Sequence, residues 1–319
     1  MLIQNLPLHV PINPQKFKNT EITADGKKRA SVPLDDLETL WFNTGSLCNI
    51  TCKDCFMESS PKNDLLAYLT LEEVQQYLRE AKHNNLSITQ VAFTGGEPFM
   101  NPQIIDMINE GLSQRLSTLV LSNGMKPLLN NRCNLLNIKK DLKKLLHIRI
   151  SIDHYNCFKH EQVRGPNTWQ PMIKGLKWLS DEKFNVSIAG RNRWGETEAQ
   201  TRSGYAHLFK KEGLTLDHLD PSQLILFPEM NEKFDVPEIT ESCFEILGKK
   251  PNELMCSKSR MVVKRKGSAS PSVVPCTLLP YDIAFDMGQK LITAMGKVYL
   301  NHPHCAKFCV LGGASCTSK

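Results

Sequence analysis

From Glu38 onward the chain alternates two patterns: a short apolar run that stops at polar or glycine residues, then a stretch whose apolar side chains recur every three to four positions. The apolar runs are Leu40, Trp41 and Phe42; Val91, Ala92 and Phe93; Leu119, Val120 and Leu121; Ile148 to Ile152; Val186 to Ala189; and Leu224 to Phe227. Between them, Leu71, Val74, Leu78 and Ala81 fall on one helical face behind a capping box of Thr70 and Glu73. Asn101 as N-cap with Pro102 at the first position opens a second helix, and Leu135, Leu142 and Leu146 mark a third. Trp169, Met172, Ile173, Leu176 and Leu179 mark a fourth, and a weaker one surrounds Tyr205, Leu208 and Phe209. Strand followed by helix, repeated six times, predicts an α/β fold with a parallel sheet.

The polar stops share one edge of such a sheet. Asn43, Thr44 and Gly45, then Thr94 to Glu97, then Ser122 to Gly124, then Asp153, then Gly190 and Arg191 all lie at C-terminal strand ends, where parallel α/β folds place their sites. The loop after the first strand carries Cys48, Cys52 and Cys55 at C-x3-C-x2-C spacing. Three cysteines so spaced can meet one [4Fe-4S] cube and leave one iron without a protein ligand, open to a small molecule. Zinc, which favours four ligands in closed pairs, and a disulfide are the competing uses.

This spacing, followed by Thr94, Gly95, Gly96, Glu97 and Pro98, resembles the radical S-adenosylmethionine (radical SAM) superfamily. The resemblance implies a partial (β/α)6 barrel in which Cys48, Cys52 and Cys55 hold a [4Fe-4S] cluster that binds S-adenosyl-L-methionine and cleaves it reductively. It implies that Gly95, Gly96 and Glu97 hold the cofactor's amino group, and that Asn123, Ser151, Asp153 and Arg191 reach its ribose or carboxylate. Ordinary polarity at strand ends is the other reading of those four. Members often carry an aromatic residue just before the third cysteine; here Asp54 stands there and Phe56 follows, so Phe56 is the candidate wall against the adenine.

Cys256, Cys276, Cys305, Cys309 and Cys316 form a second set, which resembles the Twitch or SPASM extension that binds auxiliary clusters. Arg164 and Gly165 resemble the same branch. Five cysteines suffice for one four-ligand cluster; the favoured set is Cys256, Cys276, Cys305 and Cys309, with Cys316 as substitute. His302 and His304 beside Cys305 keep zinc open as an alternative. Cys133, Cys157 and Cys243 are isolated and read as small buried hydrophobes. The expected division is an arm over residues 1–37, packed across the barrel or partly mobile, a barrel over 38–240 and a small cysteine-rich auxiliary-cluster module over 241–319.

Composition changes little: 319 residues, 41% hydrophobic and 23% charged, suit one large domain with an appendage. Eleven cysteines without a secretion-type N-terminus favour metal ligation in a cytoplasmic protein over disulfides, and no run is apolar enough for a membrane span. Residues 248–319 hold eleven Lys and Arg against three Asp and Glu, within a net charge of +6. That excess suits either an anionic substrate or compensation of thiolate clusters, and without aromatic interleaving a nucleic-acid partner is not expected. The function expected is an enzyme that makes a 5′-deoxyadenosyl radical and abstracts hydrogen from a substrate, a small molecule being favoured. A reducing partner such as flavodoxin or ferredoxin is implied. A peptide maturase, an RNA-modifying enzyme and a non-enzymatic iron-sulfur carrier or sensor are the alternatives.

Overall fold

The computed structural model describes residues 10–229 and 234–315. Its strands are β1 (Ser31–Val32), β2 (Thr39–Asn43), β3 (Gln90–Thr94), β4 (Ser117–Ser122), β5 (Leu146–Ser151), β6 (Asn185–Asn192), β7 (Leu224–Pro228), β8 (Ser259–Val263), β9 (Ser272–Val274) and β10 (Val298–Tyr299). The helices are α1 (Leu71–His83), α2 (Ile104–Ser113), α3 (Lys126–Asn130), α4 (Arg132–Leu136), α5 (Lys140–Lys143), α6 (Cys157–Arg164), α7 (Trp169–Asp181), α8 (Glu198–Glu212) and α9 (Glu241–Ile246). One sheet runs β7-β6-β5-β4-β3-β2-β8-β9. It is parallel from β7 to β8 and antiparallel only at β9. The α/β class and the six consecutive strands of a partial barrel are thus present. Among the described residues no helix is long and apolar enough to cross a membrane.

Alternation along the strands assigns two faces. Leu40, Phe42, Val91, Phe93 and Val120 pack under the helices with Val74, Met107, Leu112 and Leu176. Trp41, Ala92 and Leu119 point the other way and pack with Met57, Cys256, Met261, Val263 and Phe308. The C-terminal segment therefore fills part of the barrel interior, and β8, paired with β2, carries the sheet across residue 240.

α1 begins as its sequence requires: Glu73 N–H donates to Thr70 Oγ1 at 3.2 Å and Thr70 N–H to Glu73 Oε2 at 2.9 Å. Asn101 is not an N-cap. A 3-10 turn at Pro98–Met100 precedes it, α2 starts at Ile104, and the buried Asn101 amide donates to Thr44 O and Leu69 O at 3.1 and 2.9 Å. The third expected helix is three short ones, broken at Asn131 and Asn137, and Leu146 already belongs to β5. Cys133 and Cys157 are exposed rather than buried because they occupy outward positions on α4 and at the start of α6. Cys243 is half-buried, and its sulfur accepts from Thr240 N–H at 3.4 Å.

Residues 10–37, the described part of the arm, pack against the C-terminal segment and the stretch just before it. β1 pairs with β10, and buried Arg29 forms an ion pair with Glu238, whose carboxylate also takes Phe17 N–H at 2.7 Å and Ala24 N–H at 2.6 Å.

Candidate active site

Cys48, Cys52 and Cys55 line one cavity at the C-terminal edge of the parallel strands, with about 1140 Å³ of empty space including its open mouth. Gly95, Gly96, Asn123, Ser151, Asp153, Arg191 and Phe56 line the same cavity. So do Arg149, Arg164, Phe227 and Thr277, which the sequence reading had not placed there.

The glycine pair makes a close backbone approach. Gly96 N–H donates to Gly45 O at 2.8 Å and Glu97 N–H to Leu47 O at 3.1 Å, tying this turn to the start of the cysteine loop. A Cβ on Gly96 would lie 2.2 Å from Leu47 O, and one on Gly95, at φ +142°, 2.4 Å from Gly45 O. Only glycine fits both positions.

Glu97 does not line the cavity. It is 1% exposed and accepts from Phe99 N–H at 3.1 Å, the Ser122 hydroxyl at 2.9 Å and Asn123 N–H at 2.8 Å. Burial pushes its pKa up to about 7 despite those three donors. The Asn123 side chain in turn donates to Asn49 Oδ1 at 2.8 Å and approaches Cys48 Sγ at 3.8 Å.

Asp153 is 3% exposed and sits between two guanidiniums: Arg164 Nε at 2.6 Å from Oδ2 and Arg191 Nε at 3.2 Å from Oδ1. Burial alone would raise its pKa; the charges of Arg164 and Arg191 outweigh it and hold the carboxyl below its usual range. Burial pushes the Cys48 thiol up to about 12, and it raises Cys52 too, where the Arg164 charge pulls the other way. Ser151, at the end of β5, is half-buried on the cavity wall.

Among the described residues no three His, Cys, Asp or Glu side chains could hold a single metal ion. A cube makes a different demand, since each thiolate meets its own iron and the sulfurs need only surround a shared space. The three loop cysteines around one cavity meet that demand, with Arg164 beside Cys52 to offset negative charge.

Cys256, Cys276 and Cys305 are buried in one apolar cluster, with half-buried Cys309 packed against it. Cys316 lies outside the described residues. Burial drives Cys256 up to about 11 and Cys305 up to about 12. Arg260 packs beside Cys256 and Cys276, and its pKa falls to about 10, chiefly through burial. Half-buried His302 and buried His304 adjoin Cys305 with their rings in contact, and desolvation lowers their pKa values to about 3 and about 4. Thr277 brings this segment to the wall of the main cavity, next to Cys276 in sequence. That adjacency was its only signal in the sequence. Arg164 closes α6, whose buried residues are only His160 and Val163, too few to show a periodic pattern.

Residues 42–191 match the family profile described as the radical SAM superfamily. The antilisterial bacteriocin subtilosin biosynthesis protein AlbA of Bacillus subtilis (strain 168) is 26% identical over 178 residues, 54% of this chain and 37% of that protein. A probable GTP 3′,8-cyclase of Pyrococcus horikoshii is 29% identical over 143 residues, 44% of this chain and 42% of that protein. The chain thus spans less than half the length of these relatives. Among solved structures, Streptococcus suis SuiB bound to S-adenosylmethionine superposes with TM-score 0.56 at 13% identity, covering 79% of this chain and 63% of that one. Tagged anSMEcpe with bound AdoMet superposes with TM-score 0.52 at 15% identity, covering 79% of this chain and 77% of that one. At such identities these two show a shared fold. With the cysteine loop, the glycine turn and the parallel strand order all inside or beside the matched stretch, residues 42–191 form a radical SAM superfamily domain.

Proposed function

We propose that the protein is an enzyme whose Cys48, Cys52 and Cys55 hold a [4Fe-4S] cluster with one iron left for S-adenosyl-L-methionine. When bound, that pair supplies reductive cleavage to a 5′-deoxyadenosyl radical, which takes a hydrogen atom from the substrate. The observation that carries this reading is the common wall: three cysteines of one loop line the same cavity as Gly95, Gly96, Asn123, Ser151, Asp153 and Arg191.

The chain's own residues then have these tasks. Gly95 and Gly96 hold the cysteine loop against the end of β3, and the Glu97 carboxylate, buried just behind the cavity wall at Gly96 and Asn123 and braced on β4, has one acceptor site left for the cofactor's amino group. Ser151 and Asp153 take ribose hydroxyls, Asn123 and Arg191 take ribose or carboxylate oxygens, and Phe56 walls the adenine. Arg164 fixes Asp153 and offsets thiolate charge. The barrel and the C-terminal segment, at Phe227 and Thr277, exclude water from the reacting atoms.

Residues 241–319 act as a module holding one auxiliary [4Fe-4S] cluster through Cys256, Cys276, Cys305 and Cys309, with Cys316 as substitute. An external one-electron donor, flavodoxin or ferredoxin, serves the protein in the cytoplasm. A small anionic molecule suits the cavity wall, where Arg149 adds a third guanidinium. A peptide is the second substrate reading, supported by the relative named for bacteriocin biosynthesis. Equilibrium dialysis tests the core of this. Anaerobically reconstituted protein should bind S-adenosylmethionine, and the Cys48→Ala, Cys52→Ala, Cys55→Ala triple variant should not; equal binding by both would refute the site.

A further inference from the structure

The stretch from Cys52 to Cys55 has few anchors of its own. Lys53 N–H donates to Val163 O at 2.6 Å, and Asp54 sits at φ +57°, in the left-handed region. Two arginines from the end of β6 hold this one residue. Arg191 Nη2 donates to Asp54 O at 3.2 Å, and Arg193 Nη2 pairs with Asp54 Oδ2 at 2.8 Å. Arg193 Nη1 reaches on toward Glu229 Oε1 at 3.7 Å. Strand register explains the meeting, because Asn192 pairs with Pro228, so that Arg193 and Glu229 are the next residues out of β6 and β7. Arg193 Nη1 and Glu229 Oε2 are buried atoms without a hydrogen-bond partner among the described residues, and Glu229 also faces the charge of Lys307.

Resting on the reading of this loop as the cluster ligand set, we propose that Asp54, Arg193 and Glu229 form a latch, a −/+/− row that pins the Cys52–Cys55 segment to the ends of β6 and β7. They are positioning residues. Cys52 and Cys55 are the more exposed of the three loop cysteines, and they are the two the latch spans. The row also links the loop to the strand whose Phe227 and Pro228 line the cavity, so loop position and cavity wall are set together.

Two readouts test this, one of which needs no cofactor. In the apo protein, amide hydrogen exchange is followed over residues 48–58; in the reconstituted protein, iron loss to a ferrous chelator is timed. Asp54→Asn tolerates the left-handed backbone and removes only the charge. The pair is 35% and 23% exposed, so Asp54→Asn and Arg193→Gln should each speed both processes about two- to five-fold. The double variant should be no faster than either single one, and Asp54→Arg with Arg193→Asp should recover part of the loss. Exchange unchanged in Asp54→Asn, or effects that simply multiply in the double variant, would overturn the latch. A wild-type protein that retains no cluster would instead defeat the ligand-set reading, while the exchange arm would still decide the latch.

Discussion

Glu97 is a carboxylate with almost no water around it, held by three donors from three chain positions, and its pKa stands at about 7 through burial. An acid whose folded pKa lies above its ordinary 4.5 binds more protons when folded, so its contribution to stability is full below about 4.5 and is lost as pH rises through about 7. A cationic amino group against it favours the ionised form. S-adenosylmethionine should therefore bind about tenfold more weakly at about pH 6 than at about pH 8, with the slope centred near 7. Glu97→Gln should flatten that profile and weaken binding by about one to two powers of ten, since a charge-assisted contact of roughly 1.5–3 kcal/mol is lost. A flat profile in the unaltered protein would assign Glu97 to bracing Ser122 and Asn123 alone. Asp153 gives the opposite case. Two guanidiniums hold its carboxyl below its usual range, so it stays ionised across this window and adds no slope of its own.

At the scale of elements, what the sequence showed is what short-range physics decides. The six apolar runs are long enough to be strands, and the Thr70–Glu73 box fixes where α1 begins through two local bonds. Thr70→Ala should cost about 1 kcal/mol of stability and leave cofactor binding unchanged, as melting and dialysis can check. The cysteine loop was legible because its spacing is itself the signal. α6 was not, since it buries only His160 and Val163 and depends on packing against Trp169. β8 and β9 were not, because their place is set by β2, more than two hundred residues away. The glycine turn was legible as a site but not in its contacts, because Leu47 O lies where no local rule would look. Gly96→Ala drives a Cβ into that carbonyl, so a loss of about 1–3 kcal/mol in stability and poorer iron retention are expected. Normal melting and normal iron content would contradict the close approach.

At the scale of the molecule, two cysteine sets lie on one continuous sheet: the loop after β2, and the segments that flank β8 and β9 and end the described chain. Reconstituted protein should hold about eight irons, and the triple alanine variant of Cys48, Cys52 and Cys55 about half. Replacing Cys256 and Cys276 should remove the other half; loss of zinc there instead would refute the auxiliary cluster and favour the neighbouring histidines as ligands. The most direct measurement is product analysis of the dithionite-reduced protein with S-adenosylmethionine and no substrate. Slow formation of 5′-deoxyadenosine and methionine is expected, abolished by replacement of any one of Cys48, Cys52 or Cys55 and spared by loss of the auxiliary set where the module folds. Methylthioadenosine in place of 5′-deoxyadenosine, or product that persists without the loop cysteines, would contradict hydrogen abstraction at this site.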